Sequence, residues 1–317
     1  MEKKLAFLFP GQGSQYVGMG KEFFDRFAVA KETFEEADEK LGRPLSRLIF
    51  EGPATDLTLT KNSQIAIYVV SVAIWRVLQQ QFEGIKPAVC AGLSLGEYSA
   101  LTGAERLMFT DGIDLVQARG LYMHQASVRH PGTMAVCLNM PLKLVEEIVA
   151  EVHAEHPVWV ANLNCPGQVV ISGTREGVKL AGEKLKLKGA KRVLSLDVSG
   201  AFHSGLMEEA KQELEKKLAM VPIHDSKIDV VLNVPGDFVH SAAEIRQFLI
   251  DQVVSPVLWE KGVRKMDEEG IDLYIEIGCG KSLNGMNRKI GVKGSTLSVE
   301  KVEDLEEVAK ALDLALV

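Results

Sequence analysis

The sequence has little of the material from which disulfide frameworks, metal sites and membrane spans are built. Only four of its 317 residues are cysteines, and no two of them form a CxxC pair. This spacing argues against a zinc site and a disulfide framework, so the thiols are expected to be reduced. The longest apolar stretch, residues 65–75, is much shorter than the roughly 18 residues that span a bilayer.

An excess of positive charge is also lacking. The chain has 36 Lys and Arg residues against 43 Asp and Glu residues, which gives a formal net charge of -7. Without a global positive field, general binding to nucleic acid or anionic membranes is not expected, and an anionic partner must meet a local basic patch. The apolar run at residues 5–9 is too short for a signal peptide, so we expect a soluble cytoplasmic protein and a monomer.

Hydrophobic residues, in contrast, make up 46% of the chain, enough for a substantial core in two units or in one large domain with an insertion. Apolar runs at residues 5–9 and 88–92 read as buried strands, each followed by a glycine-containing turn. Helical patterns occupy residues 23–41 and 63–82. Strands that alternate with helices predict an α/β fold with a mainly parallel sheet.

The pattern changes near residue 133. Strands are predicted at 133–140, 158–164, 168–172 and 191–198, with helices at 142–155 and 175–188. This βαββαβ order is typical of a ferredoxin-like unit. We therefore predict a large domain formed by residues 1–128 and 200–317, which is interrupted by a small subdomain at residues 129–199.

Residues 92–96, with the sequence G-L-S-L-G, contain a candidate nucleophile. The segment fits G-x-S-x-G between a predicted strand and a predicted helix, where small glycines allow a sharp turn that exposes the hydroxyl of Ser94. The five-residue match is weak on its own because glycine and serine are common in turns. A tight turn with a capping serine is the alternative.

A serine nucleophile needs a base, and seven histidines are available. Most of them lie in charged or polar segments and are expected on the surface. His203 differs, because it lies among small residues in segment 199–204, where the chain returns from the predicted insertion. Domain junctions favour binding sites, so His203 is the candidate base, with a structural histidine as the alternative.

Seven short segments carry a more specific signal, and they run in order across almost the whole chain. They are residues 9–15 (FPGQGSQ), 92–100 (GLSLGEYSA), 117–120 (QARG), 162–168 (NLNCPGQ), 201–204 (AFHS), 252–257 (QVVSPV) and 276–281 (EIGCGK). In this ordered set the sequence resembles the malonyl-CoA:acyl carrier protein transacylases, acyltransferases of fatty acid and polyketide synthesis.

The resemblance implies a large α/β-hydrolase-like domain with a parallel sheet, interrupted by a small ferredoxin-like subdomain, in agreement with the strand order. It implies transfer of malonyl from malonyl-CoA to the phosphopantetheine thiol of acyl carrier protein through a malonyl-serine, for fatty acid synthesis. The implied partners are this carrier and a coenzyme A thioester, with no cofactor and no metal.

The resemblance also implies roles for individual residues. Ser94 corresponds to the nucleophile, His203 to the general base, and Gln252 to a glutamine whose main-chain carbonyl orients the histidine. The backbone N–H groups of Gln12 and Leu95 correspond to the oxyanion hole.

Further positions concern the substrate. Arg119 corresponds to the partner of the malonyl carboxylate, Phe202 to a pocket residue that goes with malonyl rather than methylmalonyl, and Asn162 to the substrate pocket. Two positions depart from the family pattern. Leu93 replaces the usual histidine before the nucleophile, and residues 278–281 read G-C-G-K instead of G-P-G-K.

An acidic carrier requires a basic docking face on this acidic chain. The candidates on the predicted subdomain and the large domain are Lys184, Lys186, Lys188, Lys191, Arg192, Lys281, Arg288 and Lys289. Solvated surface charge is the alternative.

Three other functions remain open at this point. They are a serine esterase or thioesterase, a stand-alone acyltransferase of a polyketide pathway, and an inactive docking subunit. The Ser94, His203, Gln252 order argues against a hydrolase, because the α/β-hydrolase order places an acid between the serine and the histidine.

Overall fold

The computed structural model describes residues 3–315. Within this range the chain forms ten strands: β1 (Leu5–Phe9), β2 (Val89–Gly92), β3 (Thr133–Leu138), β4 (Val158–Cys165), β5 (Gln168–Gly173), β6 (Arg192–Ser195), β7 (Asp229–Leu232), β8 (Asp237–Val239), β9 (Leu273–Ile277) and β10 (Ser295–Val299).

Fourteen α-helices lie in the same range: α1 (Lys21–Arg26), α2 (Ala28–Leu41), α3 (Leu45–Glu51), α4 (Ala54–Thr58), α5 (Thr60–Gln81), α6 (Gly96–Gly103), α7 (Phe109–Arg129), α8 (Leu142–His153), α9 (Arg175–Leu187), α10 (Glu208–Leu218), α11 (Ala242–Gln252), α12 (Trp259–Glu268), α13 (Ser282–Ile290) and α14 (Asp304–Leu312). None of these helices is long and apolar enough to cross a membrane.

A six-stranded sheet in the order β10-β9-β1-β2-β7-β8 forms the centre of the larger unit. All neighbouring strands in it are parallel except β7 and β8. Every residue of β1, β2 and β9 is buried, as expected for parallel strands covered on both faces. The carboxyl ends of β1 and β2 lie side by side, and the two glycine-containing turns follow them.

A second, antiparallel sheet has the order β4-β5-β3-β6. Its strands and the helices α8 and α9 follow one another in the predicted βαββαβ order. Apolar residues of both helices pack with one face of this sheet in a core of their own. The predicted fold class, α/β with a parallel-rich sheet and a separate antiparallel sheet, is confirmed.

The helical pattern predicted over residues 23–41 is confirmed except at Phe27, where it is interrupted. The structure has two helices here, because Phe27 adopts an extended conformation (φ -126°, ψ 121°) between α1 and α2. Apolar residues continue on both sides of this position, so the pattern that predicts the helices does not show the break.

Backbone hydrogen bonds join β4 of the smaller unit to a segment of the larger unit. Val257 donates to the carbonyl of Ala161 at 2.8 Å, and Leu163 donates to the carbonyl of Val257 at 2.9 Å. Val257 follows Gln252 by five residues, so the strand that carries Asn162 is held against the segment that carries Gln252.

Candidate active site

Ser94 lies in a sharp turn between β2 and α6, with φ at 52° in the left-handed region. A Cβ atom at Gly92 would overlap the Gly96 carbonyl, and one at Gly96 would overlap the carbonyl of Phe9 on β1. Glycine is therefore required on both sides of the serine. A non-glycine residue in this conformation costs about 1–3 kcal/mol and persists only where its surroundings enforce it.

Asn233, just after β7, holds this turn from below. Its Oδ1 accepts a hydrogen bond from the Ser94 N–H at 2.7 Å, and its Nδ2 donates to the Gly92 carbonyl at 2.8 Å. One buried carboxamide thus ties both limbs of the turn. The sequence gives no local signal for this contact, because the two residues lie 139 positions apart.

His203 is in contact with the serine. Its Nε2 is 2.8 Å from Ser94 Oγ, and its Nδ1 is 2.8 Å from the Gln252 carbonyl oxygen. A carbonyl can only accept, so Nδ1 carries the proton and the lone pair of Nε2 faces the hydroxyl. Gln252 is the last residue of α11, where carbonyl groups lack helical partners and the helix dipole is negative.

The environment of His203 keeps its ring neutral at pH 7. Burial, and after it the nearby positive charge of Arg119, lower the pKa of His203 to about 4, although the hydrogen bond to the Gln252 carbonyl opposes both effects. A neutral imidazole with its lone pair toward a hydroxyl can accept that hydroxyl's proton.

Arg119, on α7, is 1% exposed and lies beneath the nucleophile. Its Nη1 donates to Gln64 Oε1 at 2.5 Å, and its Nη2 donates to Ser94 Oγ at 3.1 Å and to Gln252 Oε1 at 2.9 Å. Among residues 3–315, nothing accepts a hydrogen bond from its Nε. Burial lowers the pKa of this guanidinium, since it is surrounded mainly by neutral groups.

Glu97, in the first turn of α6, completes a polar network below the turn. One carboxyl oxygen accepts from the Asn233 N–H, and the other accepts from Gln252 Nε2 at 2.5 Å. The same Nε2 donates to the Ser94 carbonyl at 2.9 Å. Burial raises the pKa of Glu97 to about 8, against the opposing effect of the Asn233 N–H and Arg119.

A cavity of about 480 Å³ opens above the serine and the histidine, between the two sheets. Its wall is formed by Gly11, Gln12, Gly13, Ser14, Gln64, Leu93, Ser94, Met123, Met134, Asn162, Asn164, Val170, Leu196, Val198, Phe202, His203, Gly280, Ser282 and Met286. Most of the predicted site residues therefore meet at one cavity. Arg119, Gln252 and Leu95 lie behind this wall.

The two predicted oxyanion donors flank the nucleophile. Leu95 precedes α6, and Gln12 lies in the loop after β1. Within the described part of the chain, neither backbone N–H donates to another protein group. The Gln12 side chain is held by Thr60 Oγ1 at 3.2 Å and by Gln64 Nε2 at 3.4 Å, which fixes the loop beside the cavity.

Three site residues were missed by the sequence analysis: Gln64, Glu97 and Asn233. Glu97 lies within segment 92–100, so its place next to the nucleophile was a usable signal. Gln64 and Asn233 offer no such signal, because they reach the site only through the packing of α5 and β7.

Residues 6–297 match the acyl transferase domain family. A malonyl CoA-acyl carrier protein transacylase of Bacillus subtilis (strain 168) is 44% identical over 310 residues, which cover 98% of this chain and 97% of the relative. The chain belongs to the malonyl CoA-acyl carrier protein transacylase family.

Solved structures of the family agree with this assignment. An acyl carrier protein S-malonyltransferase from Vibrio cholerae superposes with a TM-score of 0.91 at 41% identity, over 96% of this chain and 99% of the other. A malonyl-transacylase in complex with a type II polyketide synthase acyl carrier protein gives a TM-score of 0.93 at 38% identity, over 98% and 99%.

The two departures from the pattern of this transacylase family can now be placed. Leu93 is half-buried, lines the cavity and packs against the apolar residues of the larger sheet. It gives Ser94 no polar support, and the side chains of Asn233, His203, Arg119 and Gln252 make the hydrogen bonds to Ser94. Cys279 is a buried thiol whose Sγ lies 3.3 Å from Ser14 Oγ.

Proposed function

We propose that this chain transfers malonyl groups from malonyl-CoA to the phosphopantetheine thiol of an acyl carrier protein, through an ester on Ser94. One observation carries the proposal: Ser94 Oγ lies within hydrogen-bonding distance of both a neutral histidine and a buried arginine. The histidine supplies a base for the serine, and the arginine supplies a partner for an acyl group that ends in a carboxylate.

In the first half-reaction, His203 Nε2 takes the proton of Ser94 as Oγ attacks the thioester carbon. The carbonyl π electrons move onto oxygen and form a tetrahedral oxyanion. When this intermediate collapses, the carbon–sulfur bond breaks and the imidazolium returns its proton to the coenzyme A sulfur. General acid–base catalysis of this kind contributes about 100- to 10,000-fold in rate.

The oxyanion needs donors that are already in place. We assign this role to the backbone N–H groups of Gln12 and Leu95, because both flank Ser94 and neither has a protein acceptor within residues 3–315. Removing one such donor typically costs about 100- to 1000-fold in rate.

Arg119 accounts for the choice of a malonyl group. In a malonyl-serine the carboxylate lies one methylene beyond the ester carbon, and the guanidinium already reaches the ester oxygen position at 3.1 Å. The desolvated guanidinium has an unpaired Nε and can form charge-assisted bonds with this carboxylate. Phe202 and Asn162 line the same cavity, where the Phe202 ring would crowd an α-methyl branch.

In the second half-reaction, the phosphopantetheine thiol gives its proton to His203 and attacks the malonyl-serine ester. The carbon–oxygen bond then breaks, and Ser94 recovers its proton from the imidazolium. Donor and acceptor use the same site in turn, so the kinetics should be ping-pong. The product supplies the extender unit for fatty acid synthesis, or for a polyketide pathway.

The test is incubation with malonyl-CoA followed by intact mass measurement. We expect one malonyl adduct that is absent in Ser94→Ala and is discharged by holo acyl carrier protein. Discharge by water at the same rate as by the carrier would instead indicate a thioesterase. No adduct on the folded wild-type chain would contradict the proposal and support an inactive docking subunit.

A hydrolase is disfavoured by the partner of His203. Its Nδ1 donates to the main-chain carbonyl of Gln252, not to a carboxylate, and the nearby acid Glu97 bonds Gln252 and Asn233 instead. The site thus lacks the serine, acid, histidine arrangement of α/β-hydrolases within the described residues.

We further infer that residues 1–128 and 200–317 form the catalytic domain and residues 129–199 the inserted subdomain, with residues 1–2 and 316–317 outside the described range. Continuity of the large sheet across the insertion supports these boundaries. A cytoplasmic location is part of the proposal and is supported by four buried free cysteines, and a monomer is inferred as well. Light scattering of the purified chain tests the monomer.

A further inference from the structure

Thr60, the first residue of α5, bonds two parts of the site that are far apart in the chain. It is fully buried, and its Oγ1 accepts a hydrogen bond from Gln12 Nε2 at 3.2 Å. The same oxygen lies 2.8 Å from the Oγ atom of Ser199, 139 positions further along the chain. Within residues 3–315 this hydroxyl bonds no backbone group, so it neither caps α5 nor closes a turn. The hydroxyl therefore joins the loop after β1 to the segment after β6.

Both ends of this link belong to segments that carry catalytic groups. Gln12 supplies a backbone N–H that we assign to the oxyanion hole, and Ser199 stands four residues before His203, the proposed base. The backbone between Ser199 and His203 is packed closely against α7, because a Cβ atom at Gly200 would lie 1.9 Å from Ser127 Oγ. This segment is thus a fixed support to which the link ties the Gln12 loop.

The carboxamide of Gln12 is engaged at both ends. Its Oε1 accepts from Gln64 Nε2 at 3.4 Å, which is longer than the bond from its Nε2 to Thr60. Thr60 and Gln64 lie four residues apart on α5, so one face of this helix holds both ends of the carboxamide. Gln64 continues to Arg119 on α7, whereas Thr60 continues to Ser199. Thr60 is therefore the anchor that relates the oxyanion loop to the segment of the base.

We propose that Thr60 and Ser199 are positioning residues for the oxyanion donor. The bond between them fixes the Gln12 loop relative to the segment of the base, and so fixes the Gln12 N–H relative to Ser94 and His203. This inference rests on the proposed function, in which that N–H stabilises the tetrahedral intermediate. Donors of this kind are effective because they are in place before the charge develops.

The role of the link predicts which kinetic constant it affects. The oxyanion exists only after Ser94 has attacked the thioester, so a displaced donor weakens the transition state and leaves binding of malonyl-CoA unchanged. Loss of the link should therefore lower the maximal rate of acylation. The concentration of malonyl-CoA that gives half of this rate should stay constant.

The experiment measures the first half-reaction alone. Malonylation of Ser94 is followed by rapid quench and intact mass over a range of malonyl-CoA concentrations. Thr60→Val keeps the size and branching of the side chain but removes its hydroxyl. We expect the maximal rate to fall by about 2- to 12-fold, the range of one neutral hydrogen bond, with an unchanged half-saturating concentration. Thr60→Ser keeps the hydroxyl and should acylate at the wild-type rate.

Ser199 tests the other end of the link. Since Ser199 is exposed, Ser199→Ala does not disturb the core, and it should slow acylation in the same way. Once Thr60 is replaced by valine, the Ser199 hydroxyl has lost its partner. The double variant should therefore be no slower than Thr60→Val alone, whereas two losses that multiply would overturn the link.

Ser63 provides a matched control on the same turn of α5. It is fully buried, its hydroxyl has no partner among the described residues, and it does not line the cavity. Ser63→Ala thus removes a buried hydroxyl that belongs to no link. Its maximal rate of acylation should equal that of the wild type, and a loss as large as that of Thr60→Val would contradict the proposal.

Failure of the link and failure of the function are distinguishable. Wild-type maximal rates in both Thr60→Val and Ser199→Ala, or a change in the half-saturating concentration alone, would overturn the positioning role and leave the transferase function standing. A wild-type chain that forms no malonyl-serine with malonyl-CoA would overturn the function itself. Thermal unfolding of each variant identifies a loss that comes from misfolding, and if Thr60→Val does not fold, Ser199→Ala decides the test.

Discussion

The chain buries two arginines at different places, and their partners differ in kind. Arg106, 2% exposed, donates only to backbone carbonyls: to Ile228 through Nε and Nη2, to His240 through Nη1, and to Ser226 through Nη2. Arg119 is equally buried but donates only to side chains, one of them the Ser94 hydroxyl.

This difference is the one expected between a structural arginine and the proposed partner of a substrate carboxylate. Arg106 ties together the segments next to β7 and β8, and each of its three nitrogens has an acceptor. Arg119 keeps one nitrogen unpaired in a desolvated place beside the nucleophile. A buried polar group whose hydrogen bonds are all made stabilises a fold, whereas one with an open position can take a ligand.

The largest expected effect comes from breaking the structural arginine. Arg106→Ala removes the donors for the carbonyls of Ser226, Ile228 and His240, of which the Ile228 carbonyl is in a buried bond, and a buried acceptor left unpaired costs about 1–3 kcal/mol. We expect the free energy of unfolding to fall by about 3 kcal/mol, measured by urea denaturation. The malonyl-to-acetyl ratio of kcat/KM should stay that of the wild type, and a change in this ratio would contradict the comparison.

The functional arginine should show the opposite behaviour. Arg119→Ala removes the proposed partner of the malonyl carboxylate, and hydrogen bonds to charged groups are worth about 1.5 to 3 kcal/mol. The preference for malonyl-CoA over acetyl-CoA should therefore narrow by about 10- to 150-fold in kcat/KM. If Arg119→Ala leaves this preference intact, the carboxylate has another partner.

These two arginines also show which features of the structure cannot be predicted from the local sequence. Both stand in helical or turn-rich segments with apolar neighbours, and nothing in their local pattern separates them. Arg119 was found only through the resemblance, and Arg106 was not found. Their partners lie far away in the chain: Arg106 lies 122 positions from Ile228, and Arg119 lies 133 from Gln252.

Predictions from local sequence patterns agree with the structure where the structure depends on residues that are close together in the chain. The turn at Ser94 follows from two glycines four residues apart, and the βαββαβ order follows from the alternation of short apolar runs. The network of Glu97, Asn233 and Gln252 depends on which strands become neighbours in the larger sheet, and alternation alone does not determine this.

The charge of Arg119 should also be visible in the pH profile of the reaction. The pKa of His203 is lowered to about 4, first by burial and then by this charge, so the acid limb of kcat/KM should lie well below pH 6.5. In Arg119→Met, measured with acetyl-CoA, protonation of the ring becomes easier. The limb should therefore move to higher pH while staying below 6.5, because burial persists.

The matched variant is Arg106→Met. It removes a buried arginine that contacts neither Ser94 nor His203, and its acid limb should coincide with that of the wild type. An acid limb that does not move in Arg119→Met would mean that the guanidinium charge does not act on His203.

The smallest expected effect concerns surface lysines, which can be compared in the same way as the two arginines: some have a partner and others have none. Lys184 is bonded to Glu151 at 2.5 Å, whereas Lys188 and Lys191, after the same helix, make no ion pair within residues 3–315. An acidic carrier meets unpaired cations at less cost than paired ones, because no existing bond has to break. Exposed ion pairs contribute up to about 1 kcal/mol each.

Reversing Lys188 and Lys191 together to glutamate should raise KM for holo carrier protein by about 2- to 10-fold. KM for malonyl-CoA should stay constant, because the reversed charges concern docking of the carrier. Lys184→Glu is the control, since its partner Glu151 already neutralises that position, and it should have the smaller effect on KM for the carrier. If both changes raise KM for the carrier equally, ion pairing does not determine which surface lysines contact the carrier. The difference between paired and unpaired cations would then hold only for the buried arginines.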